Sequence, residues 1–324
     1  MLEDEIFNIE TDSEFQQLAL TVFRFQYENV GVYRDFCDLL KIQVSEIKSI
    51  EDVPFLPIQF FKNRKIIAKN RTEETIFTSS GTTGSTTSKH YIAEVALYEK
   101  SFRYAFKRQY GNPSKYAILA LLPSYLEREG ASLIYMVERL IKDSGNPNSG
   151  FYLNDMDALI SKLDTLEKSG QKTLLIGVSY ALLDLIDKRK FQLKNTVVME
   201  TGGMKGRRKE MVKEELHEVL KSGFGVDAIH SEYGMTELLS QAYSRGNGIF
   251  FCPPWMRILT RDTEDALSYI YGKTGGINII DLANCYSCSF LATQDLGKVF
   301  PDGRFEVLGR FDSSDIRGCN LMVF

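Results

Sequence analysis

Residues 77–90 read FTSSGTTGSTTSKH, and between Thr78 and Ser88 nine of eleven residues carry a hydroxyl while the other two are glycine. Gly81 and Gly84 let a backbone turn tightly and approach a ligand. Backbone N–H groups with Ser and Thr hydroxyls can ring a phosphate with neutral donors, and Lys89, just behind them, adds a compensating charge. This is not a Walker A loop, because Gly84 is followed by Ser85 and Thr86 where that motif has Lys and then Ser or Thr. The same composition also describes a flexible surface linker, and the loop alone does not decide between the two.

Other reactive side chains are weaker signals. Cys285 and Cys288 form a lone C-x-x-C, which Cys252 and Cys319 could complete as a zinc site. No second close pair exists, however, and the segment reads as strand and turn without metal. His217 lies among charged neighbours and is expected on the surface. His230 is expected to be a satisfied core histidine. The basic run Lys205–Lys209 reads as a solvated helix start.

The elements that must position these groups follow from periodicity. A capping box, Thr11 with Glu14, opens a helix whose face is Phe15, Leu18, Ala19, Val22 and Phe23, with Gly31 as its expected end. The segment IEDVPFLPIQFFK reads as extended. Beyond the loop, apolar runs of strand length (KYAILALLP, KTLLIGVS, NTVVMET, VDAIHSEYG) alternate with helical patterns. Among these are NDMDALISKLDTLEKSG, with Met156, Leu159, Ile160 and Leu163 on one face, and RRKEMVKEELHEVLKSG, with Val212, Leu216, Val219 and Leu220 on one face. Such alternation predicts an α/β body, a parallel sheet with crossover helices, with ligands outside the carboxyl ends of its strands. After residue 248 the pieces become short, β-rich and turn-punctuated. The expected division is an α/β body over 1–247 and a smaller β-rich subdomain over 248–324.

Composition bounds the rest. With 39 Lys and Arg against 43 Asp and Glu, the net charge of −4 argues against a general nucleic-acid binder. The N-terminus, MLEDEIFNIE, is acidic and lacks signal-peptide character, and no run approaches the roughly 18 apolar residues of a membrane span. Five cysteines without an export signal read as reduced thiols, so a cytoplasmic protein is expected.

The hydroxyl-rich segment resembles the phosphate loop of the adenylate-forming (acyl-CoA synthetase-like, ANL) superfamily, and three further motifs follow in that family's order. They are YGMTE at Tyr233–Glu237, TQDLG at Thr293–Gly297 and GRFD at Gly309–Asp312. FLPIQFFKNRKI before the loop, and Cys319 near the end of the sequence, are similar to the LuxE group, the acyl-protein synthetases of bacterial fatty acid reductase complexes. The resemblance implies that Thr78, Ser79, Ser80, Gly81, Thr82, Thr83, Gly84 and Lys89 hold the β- and γ-phosphates of ATP. It implies that Gly202 and Gly203 leave room for the adenine and the acyl group, that Gly234 belongs to the nucleotide site, and that Tyr233 offers a ring face on which adenine can stack. Thr236 would meet the α-phosphate, Glu237 would ligate Mg²⁺, Asp295 would accept the ribose hydroxyls, and Arg310 would supply a charge-assisted donor.

Full-length members continue past the hinge motif into a lid domain that carries a catalytic lysine, and this sequence stops twelve residues after Asp312. Lys89 is the expected stand-in for part of that lysine's work. The implied function is activation of a carboxylic, expectedly fatty, acid to acyl-AMP. The acyl group would then pass to Cys319, with Arg317 lowering its thiol pKa, and on to a reductase partner. The alternatives are an acyl- or aryl-CoA ligase using CoA as acceptor, and a non-catalytic nucleotide-binding scaffold.

Overall fold

A computed structural model describes residues 2–79, 86–123, 130–203, 208–209 and 211–311. The helices among them are Leu2–Ile6 (α1), Asp12–Asn29 (α2), Gly31–Leu39 (α3), Phe60–Asn63 (α4), Val95–Tyr110 (α5), Ser132–Ser144 (α6), Met156–Ser169 (α7), Ser179–Lys188 (α8) and Lys213–Phe224 (α9). The strands are Leu56–Pro57 (β1), Thr75–Thr78 (β2), Lys89–Ile92 (β3), Ala117–Leu121 (β4), Gly150–Phe151 (β5), Thr173–Val178 (β6) and Thr196–Thr201 (β7). They continue with His230–Tyr233 (β8), Ala242–Ser244 (β9), Ile249–Phe251 (β10), Met256–Arg261 (β11), Gly275–Asp281 (β12), Phe290–Val299 (β13) and Phe305–Arg310 (β14).

One 12-stranded sheet runs in the order β11-β12-β13-β14-β10-β9-β8-β7-β6-β4-β5, with β1 added in parallel to β13. β5, β4, β6, β7 and β8 are mutually parallel, and the ladder turns antiparallel from β8 onward. β4 and β6 are buried at every position, which is why they read as unbroken apolar runs: helices cover both faces. The fold is the expected mixed α/β one. β9 and β10, on either side of residue 248, are hydrogen-bonded neighbours in this sheet.

The N-terminal helices are tied to the sheet by one buried amide. Gln26 donates through Nε2 to the carbonyls of Asn284 and Cys285 at 3.0 and 2.9 Å, while its Oε1 accepts from the Ser289 N–H at 3.0 Å. A buried amide is retained only when its donors and acceptors are satisfied. This one fixes the turn that carries Asn284, a residue of the site below. The Thr11–Glu14 capping box forms as read.

Four local expectations differ from the structure. Gly31 does not end a helix; Val30 is extended and Gly31 opens α3. The proline-containing segment before the loop is extended only over β1, then coils into the single turn of α4. α9 begins at Lys213, and Val212 and Val219 are exposed. Its buried stripe is Leu216, His217, Leu220 and Phe224, so His217 is a buried residue. Its ring is drawn inward by Ser231 Oγ at 3.4 Å and Glu200 Oε1 at 3.5 Å, while the charged neighbours in sequence face water.

Candidate active site

A cavity of about 870 Å³ opens at the carboxyl ends of β4, β6, β7 and β8, the position at which parallel α/β sheets bind ligands. Leu122 and Pro123 follow β4, Ser179 follows β6, Gly202 and Gly203 follow β7, and Gly234 to Glu237 follow β8; all line it. Gly202 sits at φ +68°, in the left-handed region. A Cβ on Gly234 would stand 2.5 Å from Glu232 Oε1, so a side chain there would displace the Glu232 carboxyl.

Three motif residues converge on one edge of this cavity. Asp295 and Arg310 are direct cross-strand partners in β13 and β14. Arg310 Nε lies 3.2 Å from Asp295 Oδ1, and the Tyr233 hydroxyl donates to Asp295 Oδ2 at 2.8 Å. Two of the roughly four acceptor sites of the carboxylate are thus used, and the others are free to face a ligand. Burial pushes the Asp295 carboxyl up, opposed by the charge of Arg310 and the hydrogen bond from Tyr233. The Tyr233 ring is packed edge-on to Phe305 and tilted against Phe250.

A second group gathers where β2 and β3 flank the hydroxyl-rich loop. Thr78 and Ser79 line the cavity, and Ser79 and Ser88 are bonded to each other through Ser79 N–H to the Ser88 carbonyl (3.1 Å) and Ser88 N–H to Ser79 Oγ (2.9 Å). His90, fully buried, places Nδ1 2.8 Å from the Thr236 carbonyl and Nε2 3.0 Å from Asn284 Oδ1. Asn284 in turn donates to the Glu237 carbonyl at 2.9 Å. The turn that presents Thr236 and Glu237 is therefore braced from β3 and from the Gln26-held loop. Asp281 braces it again, accepting from the N–H groups of Leu239 and Ser240 at 2.7 and 3.0 Å. Glu237 is buried and lines the cavity. Burial raises its pKa, against a Ser88 hydrogen bond and the nearby charges of Arg310 and Lys62.

Lys89 is exposed and outside the cavity lining, because alternation along β3 turns Ser88 and His90 inward and Lys89 outward. A lysine that does line the cavity, near Glu237, is Lys62 of α4. It has no carboxylate within 4 Å among the described residues. Its neighbour Phe61 is buried and packs edge-on against His90, with ring centroids 5.3 Å apart. Ser80, Gly81, Thr82, Thr83, Gly84, Asp312 and Cys319 lie outside the described residues. Cys285 and Cys288 are buried, and burial pushes both thiols up. Among the described residues no cluster of three metal-ligating side chains occurs, and no helix is long and apolar enough to cross a membrane. His230 is partly buried, with Tyr110 Oη 3.1 Å from Nδ1, and burial lowers it to about 4.

Two buried carboxylates beside the cavity escaped the reading of motifs. Glu200, in β7, meets Lys213 Nζ at 3.0 Å. Burial alone would raise Glu200, but Lys213, His217 and Ser231 outweigh it and hold the group at about 2. Glu232, in β8, is held by the Thr201 hydroxyl at 2.6 Å, and burial pushes it up to about 7. A carboxyl raised above its unfolded value stabilises the fold below the unfolded pKa, near 4.5, and loses that contribution as pH rises through 7. Glu232→Gln is therefore expected to gain on the wild type by on the order of 3 kcal/mol between about pH 5 and about pH 8. Urea denaturation at stepped pH measures this, and a pH-independent difference would contradict it.

Residues 5–119 match the family described as "Acyl-protein synthetase, LuxE". A 70-residue stretch, 21% of this chain, is 37% identical to the long-chain-fatty-acid–luciferin-component ligase of Photorhabdus luminescens, and the chain spans 60% of that relative's length. Among solved structures, 2-hydroxyisobutyryl-CoA ligase in complex with 2-HIB-AMP matches with a TM-score of 0.67 at 13% identity, over 94% of this chain and 69% of that one. ATP-bound MatB from Rhodopseudomonas palustris matches with a TM-score of 0.54 at 18% identity, over 72% of this chain and 47% of that one. Over residues 5–119 the chain is thus similar to the acyl-protein synthetases of the LuxE family, and its fold is that of the CoA-ligase structures it matches.

Proposed function

We propose that this chain is an acid–thiol ligase that activates a carboxylic acid with ATP and passes the acyl group to a thiol. The observation that carries this reading is the meeting of Tyr233, Asp295 and Arg310 with Glu237 and Lys62 around one cavity. Asp295 accepts the ribose hydroxyls through its free lone pairs, while Arg310 and Tyr233 hold it in place. Gly202, Gly203 and Gly234 leave room for the adenine. Thr78, Ser79 and the loop residues Ser80 to Gly84 cradle the outer phosphates with neutral donors. Thr236 is directed at the α-phosphate by the brace from His90. Glu237 is a hard oxygen donor, buried and without a cation within 4 Å among the described residues, and it suits Mg²⁺. When bound, that ion neutralises phosphate charge.

In the first half-reaction a carboxylate oxygen of the acid bonds to the α-phosphorus and the bond to pyrophosphate breaks. Charge accumulates on the leaving pyrophosphate, and Lys62 stabilises it there. In the second, the Cys319 thiolate attacks the acyl carbon and AMP leaves with the former carboxylate oxygen. The acyl-protein synthetase match and the long-chain-fatty-acid ligase relative support a fatty acid as substrate and a protein as acyl acceptor, for which a reductase partner is the proposed identity. The test is a labelled fatty acid with ATP and Mg²⁺ on wild type and Cys319→Ser. Covalent label on the wild type alone, with pyrophosphate exchange in both, is expected. Equal label on both would remove Cys319 from the pathway.

A further inference from the structure

Resting on that reading, the geometry points to a fatty acid that carries an O–H or N–H donor on its acyl portion, a hydroxy or amino acid of aliphatic frame, taken in preference to its plain alkyl parent. The cavity has two sides, divided by the ends of β7 and β8. Thr201 and Glu232 are register partners there, and successive residues of a strand face opposite ways. Glu200 turns toward α9, where Lys213 and His217 hold it, and Tyr233 turns toward Asp295 on β13. Glu232 turns the other way, toward Tyr98 of α5, whose hydroxyl donates to the Ser132 carbonyl at the start of α6. Tyr233, Asp295 and Arg310 occupy the first side, and Thr78 meets the start of the second where its N–H donates to the Gly130 carbonyl at 2.7 Å, which leaves the apolar wall beyond Tyr98 for the acyl group.

That second side is mostly apolar, lined by Leu122, Ile134 and Met136, yet it contains a buried carboxyl. Glu232 Oε2 is satisfied by Thr201. Oε1 has no hydrogen-bond partner among the described residues, and no Lys, Arg or His nitrogen lies within 4 Å of Glu232 there. It lies beside Gly234, which has no side chain to cover it. Gln241, also buried and lining the cavity, leaves its Oε1 unpaired as well. An alkyl chain placed here would strip water from Glu232 Oε1 and return nothing. A site with buried polar groups strongly rejects the analogue that leaves them unpaired.

The experiment is acid-dependent pyrophosphate exchange on the wild type with matched acids: octanoic and tetradecanoic acid, their 2-hydroxy, 3-hydroxy and terminal hydroxy forms, and the corresponding amino acids. The expected result is that one donor-bearing member exceeds its alkyl parent in kcat/KM by about tenfold or more, and that Glu232→Leu erases this ratio. The hydroxy and amino arms distinguish the two donors. Alkyl parents equal to or better than every derivative on the wild type would overturn the inference and leave acid activation standing. Exchange with no acid at all would remove the activation reading and this inference with it. The wild-type comparison decides the matter even if the variant does not fold.

Discussion

Lys62→Ala is expected to lower the turnover of acid-dependent pyrophosphate exchange by about 10²–10³-fold, the usual loss when one preorganised charge-stabilising group is removed from a reacting centre. The expectation rests on where α4 holds this side chain. Phe61 is locked against His90, and His90 fixes the carbonyl of Thr236, so the cation and the Thr236–Glu237 turn move as one unit. Lys62→Arg keeps the charge but changes its shape and reach, and it should recover part of the rate. Lys89→Ala, on the outward face of β3, should change the rate far less than Lys62→Ala does. Steady-state exchange on the three variants checks this. A larger loss at Lys89 than at Lys62 would relocate the phosphate-end cation.

Asp295→Ala is expected to raise KM for ATP by about 10²-fold while kcat falls much less, because a hydrogen bond to a charged group contributes about 1.5–3 kcal/mol and the ribose would lose more than one. The substitution also leaves the Tyr233 hydroxyl without the acceptor it now has at 2.8 Å, in a position that is buried. Asp295→Asn retains an acceptor for Tyr233 and should bind ATP better than the Ala variant. Isothermal titration with ATP, alongside the split of KM from kcat, measures both. An effect confined to KM for the acid would place Asp295 outside the nucleotide site.

The residues legible in the sequence are those whose roles depend on a short local motif. Tyr233, Thr236 and Glu237 share one turn, and Asp295 and Arg310 each sit in a strand carrying its own signature; the ladder that makes the last two direct partners was not visible in advance. Lys62, proposed for the phosphate end, has no local motif to mark it. It stands on a single helical turn, and its place at the cavity depends on β1 pairing with β13, Leu56 opposite Leu291, across more than two hundred residues. No local periodicity encodes such a pairing. Lys89 could have been set aside from the alternation Ser88, Lys89, His90 alone, since a strand that turns a buried serine and histidine inward turns the lysine out.

Glu200 and Glu232 left a signal that went unused. Each is a carboxylate at the end of a segment read as a buried strand, and a charge in such a place is retained only with a partner or a function. Glu200 has Lys213 as its partner. Glu232 has one hydroxyl and a cavity. His217 is buried despite its charged sequence neighbours, because a helix shows successive residues to different faces.

The proposed reaction joins a carboxylate to the α-phosphate of ATP in this cavity. The most direct measurement is turnover with an acid labelled with oxygen-18 in its carboxyl group, followed by mass spectrometry of the nucleotide and phosphate products. Attack of the carboxylate on the α-phosphorus predicts one labelled oxygen in AMP and none in pyrophosphate. Label in inorganic phosphate with release of ADP, or acid-independent nucleotide turnover without label in AMP, would contradict it.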